Sequence, residues 1–398
     1  MLFVLARLLT PGELGLYGLM TATIVFSMLV IGGDYYTYSQ RELMSRPREQ
    51  WSFVLQHQGL ATVLLYVVLL PLQGLVFFFD LLPVHLAFWF FALLVSEHLS
   101  QELNRLLVAM QRPLTASWVF FVRSGLWVWV VLPLMWLLPS MQTLETVFFV
   151  WFMGSALAGI IGLAVVWRAV GAWQWWSVDW KWLRIGYKKG AMFLVATMCF
   201  RALFTADRYV VEYFVGSEML GVYVLYIGMA TAIVNFMEPA IFSFLYPRLV
   251  SAWRQGQYET YRKVYRELSL SATLVGLGLA TGCFILAPWV LQWTGKSIYV
   301  NQLPLLWVLL GMAIVYAIGM VPHYGLYARG SDRAIMFSHV SSLAVFGGIV
   351  VLLGRAWPLY AVPWALAGSF SWMGGLKLWL YMRLQNNQKM PSSVEASL

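Results

Sequence analysis

Charged side chains are scarce in this sequence, at 11% of 398 residues against about 25% in soluble domains. Such a chain cannot cover a water-soluble core. Cysteine is nearly absent: Cys199 and Cys283 both lie in apolar stretches without metal-type spacing, so neither a disulfide nor a metal site is expected. There is no phosphate-binding glycine loop, and no paired-carboxylate or Ser/His/Asp arrangement in a convincing context. No enzymatic activity and no cofactor are therefore expected. A cleavable signal peptide is not expected either, because the first residues lack a basic region and lead straight into a further span.

What the chain does have is apolar length. Hydrophobic residues make up 61% of it, and a helix needs about 20 of them in a row to cross a hydrocarbon core. Eleven stretches qualify, at 13–33, 51–79, 84–110, 114–138, 144–167, 191–215, 219–245, 270–293, 303–327, 335–353 and 359–381. The first nine residues are apolar too, but reach only about 14 Å at about 1.5 Å per residue. They are expected to be the tail of a twelfth helix whose beginning is missing from this sequence. The expected fold class is an all-α polytopic membrane protein.

The net charge of +9 invites a nucleic-acid reading, but the placement of the basic residues argues against one. Of 26 Lys and Arg, nineteen fall on one side of the spans. Only Arg7, Lys296 and Arg355 fall on the other, and Arg123, Arg201, Arg208 and Lys377 lie within spans. The positive-inside rule places the nineteen, and the C-terminus, in the cytoplasm. Outer connections are short, the longest being 294–302, so none folds as a domain. Inside, 168–190 carries five tryptophans and reads as an interfacial segment joining two lobes, or as an ordinary aromatic belt. The stretch 247–268 reads as a short amphipathic helix held against anionic lipid.

One signature occurs twice. Leu14-Gly15-Leu16-Tyr17 and Leu220-Gly221-Val222-Tyr223 each follow an acidic residue, Glu13 or Glu218, and each opens a long apolar stretch that ends in Arg41 or Arg248. Two such units half a chain apart imply two similar lobes, the layout of many secondary transporters. The run from Ala6 to Tyr17 is similar to the first outer turn of bacterial polysaccharide transporters, the O-antigen (Wzx-type) flippases. Asp207-Arg208, Gly216 and the second signature resemble the matching turn of their second half. That resemblance implies two six-helix lobes around a central cavity, a MATE-like arrangement, with most of the first helix absent here. Lobes are expected at 1–169 and 188–385, with an interfacial linker at 170–187 and a cytoplasmic tail at 386–398. The implied function is flipping of a lipid-linked oligosaccharide, carried on polyprenyl pyrophosphate, from the cytoplasmic to the outer face of the bacterial inner membrane. The implied partners are that cargo, membrane lipids and polysaccharide polymerase or assembly proteins, with no nucleic acid. The alternatives are an ion-coupled multidrug antiporter of the same superfamily, a membrane-embedded sugar polymerase or ligase, and a non-transporting scaffold. Short outer connections weigh against the polymerase.

Charges within the spans are the candidate site residues, because a charge at mid-bilayer costs about 2.5–3.5 kcal/mol on insertion scales. Arg201 lies about 16 Å from the inner edge by helical rise. It either offers a planar fork to pyrophosphate or is neutralised by a carboxylate. Asp207, Arg208 and Glu212 lie further out and can neutralise one another, Glu212 following Arg208 by four. Glu97 lies about 20 Å in from Val84 and opens a polar stripe with Gln101, Asn104 and Arg105. It is either an ion-coupling site or the partner of Arg123 or Arg201. Arg123 either receives the pyrophosphate or snorkels to the inner interface, where Lys377 is expected to snorkel. Thr231, Asn235 and Glu238 share a face ahead of Pro239, which reads, like Pro322, as a hinge.

If the repeat is parallel, cysteines placed at Gly12 and at Ser217 will both label from outside with an impermeant reagent. Labelling of one without the other would refute it.

Overall fold

A computed structural model describes residues 1–387, with the side chains at 192, 193, 195, 196 and 385–387 set aside. The tail expected at 386–398 lies, beyond residue 387, outside the described residues. Every regular element among the described residues is helical. In order these are α1 (Leu2–Leu8), α2 (Pro11–Gly32), α3 (Tyr36–Ser45), α4 (Trp51–Leu72), α5 (Leu75–Phe78), α6 (Ala87–Ala109), α7 (Pro113–Phe121) and α8 (Trp127–Leu137). They continue with α9 (Leu144–Val170), α10 (Trp180–Met237), α11 (Ser243–Arg254), α12 (Tyr258–Trp293), α13 (Ser297–Asn301), α14 (Leu303–Ala328), α15 (Asp332–Leu353) and α16 (Pro358–Asn387).

Among the described residues eight helical segments are long and apolar enough to cross a membrane, and one of them, Thr197–Arg254, holds two of the expected spans. The two expected spans outside that set are α6, which carries Glu97, Glu102 and Arg105, and α16, diluted by Trp, Ser and Gly. Both are nonetheless long helices, of 23 and 30 residues.

The duplicated signature marks two helix starts. In the first copy Thr10 and Glu13 form a capping box: the Thr10 hydroxyl accepts from the Glu13 N–H at 3.2 Å, and the Glu13 carboxylate accepts from the Thr10 N–H at 2.8 Å. Pro11 occupies the first helical turn, where no N–H is needed. In the second copy the break is made by Gly216 inside α10, at φ 76° and ψ 176°, a conformation open to glycine alone. Leu14 and Tyr17, like Leu220 and Tyr223, are buried, so the same pair of side chains anchors both starts.

Packing divides the chain into two compact units, essentially Phe3–Tyr209 and Val210 onward. The division falls inside α10, later in the chain than the linker expected at 170–187. That segment is docked on the first unit. The Trp176 backbone N–H donates to Gln56 (2.9 Å) and its indole N–H to Ser52 (3.0 Å). The Asp179 N–H donates to His57 (2.8 Å), and Trp182 packs among Tyr35, Tyr38 and Phe53. The first arm of α10 runs on against α2, where the Tyr209 and Thr23 hydroxyls lie 2.5 Å apart.

In the second unit α14 packs against α12 and α16, and α15 against α16, around Leu305, Leu309, Ala313 and Phe370. The amphipathic helix expected at 247–268 is two helix ends instead. α11 closes at Arg254, a turn follows, and α12 opens at Tyr258 with Tyr261, Val264 and Leu268 buried. Periodicity alone misled here because both ends keep the same 3.6-residue repeat on either side of the turn.

Gly190 fixes how closely α10 approaches the end of α2, since a Cβ there would stand 2.5 Å from the Gly33 carbonyl oxygen. Gly190→Ala should therefore cost about 1–3 kcal/mol, read as a lower midpoint of thermal unfolding in detergent. Gly278→Ala, with nothing within 4 Å of its Cβ, should leave the midpoint unchanged or raise it.

Candidate functional site

α2 ends in a turn that shapes a polar cavity. Gly33 and Asp34 take left-handed conformations in succession, φ 55° and 50°, which a short Asp side chain tolerates. The chain then reverses into α3. The cavity, about 150 Å³, is lined in part by Met28, Gly32, Asp34 and Tyr36, by Gln101 and Arg105 of α6, and by Thr197 and Arg201 of α10. It is about five times the share of a water molecule in the liquid, roughly 30 Å³.

Arg105 is held in place from two sides. Its guanidinium lies 3.7 Å from the centre of the Tyr36 ring and donates to Glu102 at 2.6 Å. Glu102 also accepts from Gln58 at 3.0 Å. Arg201, on the facing helix, is exposed. The Asp34 carboxyl, just beyond the last residue of α2, is pushed above its ordinary value by burial, with the Arg105 charge and a hydrogen bond from Thr197 pulling it back. Two guanidiniums, an amide, a hydroxyl and a phenol thus converge on one small volume, with Asp34 partly offsetting their charge. This donor set suits a multiply charged oxyanion.

No protein-family model matches the chain, and no curated protein matches it significantly. Solved structures do match. The inward-facing conformation of a multidrug resistance MATE family transporter of the MOP superfamily superposes with a TM-score of 0.80 at 13% identity, over 98% of this chain and 96% of that one. MATE in the bent conformation gives 0.62 at 14% identity, over 98% and 92%. An outward-facing MATE family transporter gives 0.56 at 14%, over 97% and 91%. The chain has the MATE-like fold.

The remaining expected site residues are not among those that line this cavity. Arg123 does not join Arg201. It sits in a π-helical turn, Val122–Leu126, and its Nε lies 3.7 Å from a Glu97 oxygen. The other Glu97 oxygen accepts from the Trp151 indole at 2.7 Å and from the Ser155 hydroxyl. Glu97 is thereby ion-paired and hydrogen-bonded. Arg208 pairs with Asp207 at 2.9 Å, one of the neutralising pairs expected, and also donates to the Phe204 carbonyl. Glu212 keeps one buried oxygen without a hydrogen bond. Glu238 accepts from the Tyr324 hydroxyl at 3.0 Å, at the head of a second π-helical turn, Glu238–Phe242, that contains Pro239.

Lys377 corrects the sequence expectation outright. It does not snorkel: it is fully buried and bonded to His339. Sequence reasoning also passed over Asp34 and Tyr36. The available signal was the Gly33-Asp34 pair, since an acid directly after a glycine at a span end marks a turn that can re-aim a side chain.

Removing one member of the Glu97–Arg123 pair strands a buried charge. Glu97→Ala is expected to cost about 3–5 kcal/mol and to reduce abundance in the membrane. The double variant Glu97→Gln, Arg123→Met should recover most of it. A double-variant cycle on thermal unfolding measures the coupling, and additive losses would show that the two side chains do not interact.

Proposed function

We propose that this chain carries an anionic, lipid-linked cargo across the membrane by alternating access, and that the cargo is an oligosaccharide on polyprenyl pyrophosphate. The observation that supports this reading most is the cavity between Arg105 and Arg201. Its donors match the oxygens of a pyrophosphate, and Arg105 is already fixed by Tyr36 and Glu102, so little side-chain freedom is lost on binding. The basic ends of the helices face the cytoplasm in this reading, where such cargo is made. Arg201 then contacts the diphosphate while the prenyl chain stays in lipid.

A second reading takes its support from the MATE family transporters with the same fold, described as multidrug resistance proteins. A multidrug antiporter would favour cationic compounds. The two guanidiniums in the cavity weigh against a cationic ligand there.

Export of lipid-linked oligosaccharide, measured in cells at matched protein abundance, separates these readings. Arg201→Ala and Arg105→Ala should each reduce export by about tenfold or more, the worth of one charge-assisted hydrogen bond. Arg201→Lys should restore only part of it. Because the Asp34 carboxyl is raised, falling pH neutralises it earlier than an ordinary Asp, adds positive charge to the cavity and tightens anion binding. Asp34→Asn should flatten that dependence. Normal export by Arg201→Ala, or efflux of cationic dyes that Arg201→Ala leaves intact, would favour the second reading.

A further inference from the structure

Lys377 lies on the face of α16 that packs against α14 and α15, with no exposed surface. Its Nζ is 3.1 Å from Nε2 of His339 on α15. The His339 ring is parallel to that of His323 on α14, with 6.0 Å between centres and 4° between planes. Three basic side chains from three helices therefore meet inside the second unit. Among the described residues no carboxylate comes within 4.0 Å of Lys377.

Other polar groups lie on the same helices. From α14 they are Tyr316, in ring contact with Phe370 at 5.0 Å, and Tyr324, whose ring stands 5.3 Å from His323 and whose hydroxyl donates to Glu238. From α15 they are Ser338 and Ser342, whose hydroxyls donate to carbonyls of their own helix. Arg329 sits further along, over the Tyr381 ring of α16 at 4.4 Å. His323 keeps its Nδ1 without a hydrogen bond, and Glu238, reached through Tyr324, is exposed.

An N···N distance of 3.1 Å needs one N–H pointing at one lone pair. Protonating both groups fully would set like charges against each other, and a permanently charged Lys377 ammonium with no carboxylate within 4.0 Å among the described residues is costly in a dry interior. With both groups neutral the Lys377 amine donates one of its own N–H bonds to Nε2, and one further proton can be taken up and shared along the Nζ···Nε2 axis. We infer that Lys377 and His339 form a proton-binding site in the second unit, and that uptake and release of this one proton is the coupling step of the transporter proposed above. The first half of the inference stands on the side-chain geometry; the second rests on the transport reading. His323 and Tyr324 extend the row of titratable groups toward Glu238, at the π-helical turn. The ligand is the proton itself, and no covalent bond forms or breaks beyond the N–H.

The chain has seven lysines, and Lys377 is the one within a span. In the full-length protein carrying carbon-13 at lysine Cε, the Lys377 signal is the one lost in Lys377→Met, a change that removes a buried charge at similar volume and leaves folding intact. That signal should titrate apart from the other six and in a single step with a His339 ring signal. His339→Gln should displace the step by about tenfold or more in proton affinity. A Lys377 signal that follows the other six, or that ignores His339→Gln, would overturn the shared proton. In proteoliposomes holding lipid-linked oligosaccharide, an imposed pH gradient should speed the wild type. Lys377→Met and Lys377→Arg, one without charge and one with a fixed charge, should run at the gradient-free rate. Cargo that moves in the wild type regardless of the gradient overturns the coupling. If the wild type moves no cargo at all, the transport reading fails, while the joint titration of Lys377 and His339 still supports the proton site.

Discussion

Hydrocarbon offers a polar group nothing to bond to, and that constraint organises the interior of this protein. Each ionisable side chain in a span has to find its partner within the fold. Glu97 gathers an indole, a hydroxyl and a guanidinium. Arg208 takes the neighbouring carboxylate, Glu238 takes a phenol, and Lys377 takes an imidazole. Where partners lie on different helices, as for Glu97, Glu238 and Lys377, these contacts select which faces of the helices meet, because rotating one helix by a residue would part the pair. Apolar packing alone is less selective, since lipid tails solvate Leu and Val as well as a neighbouring helix does.

The two units resolve this constraint differently. In the first, basic groups are offset by acids: Arg105 by Glu102, Arg123 by Glu97, and the cavity as a whole by Asp34. Offset charge of this kind tolerates a second anion only where a guanidinium keeps free donors, which singles out the exposed Arg201. In the second unit, Lys377 is hydrogen-bonded to His339, whose ring stacks on His323. Clustered bases respond to proton supply more than to anions, so the two units present distinct chemistry.

Hydropathy made the helices legible. Their starts were readable from Thr10-Pro11 and from Gly216, because caps and breaks are local chemistry. Partners were not legible, since pairing depends on helix rotation and on neighbours distant in sequence. Lys377 shows the limit. Its distance from a helix end suggested escape to the interface, but α14 and α15 close over it, and depth along one helix carries no information about what covers its sides. The cavity was half legible: Arg201 stood out as an intramembrane charge and Gln101 as part of the polar stripe that Glu97 opens, while Arg105, on the same stripe, counted with the cytoplasmic basic residues. Asp34 and Tyr36 enter it through a left-handed turn whose direction no periodicity encodes. The tryptophan-rich segment before α10 reads from sequence as a membrane-interfacial linker, and its docking onto Ser52, Gln56 and His57 is a tertiary outcome that no local pattern encodes.

The π-helical turn at Val122–Leu126 places Arg123 within reach of Glu97. A turn of this type accommodates one more residue than the α-helix on either side. The burial of that charge is therefore written in the number of residues between α7 and α8 as much as in their identity. Deleting a single small residue such as Ser124 or Gly125 would regularise the helix and swing Arg123 by about 100°, given about 3.6 residues per turn. Chain length, counted to the residue, thus acts here as a coded instruction for orientation, one that substitution tables would not register.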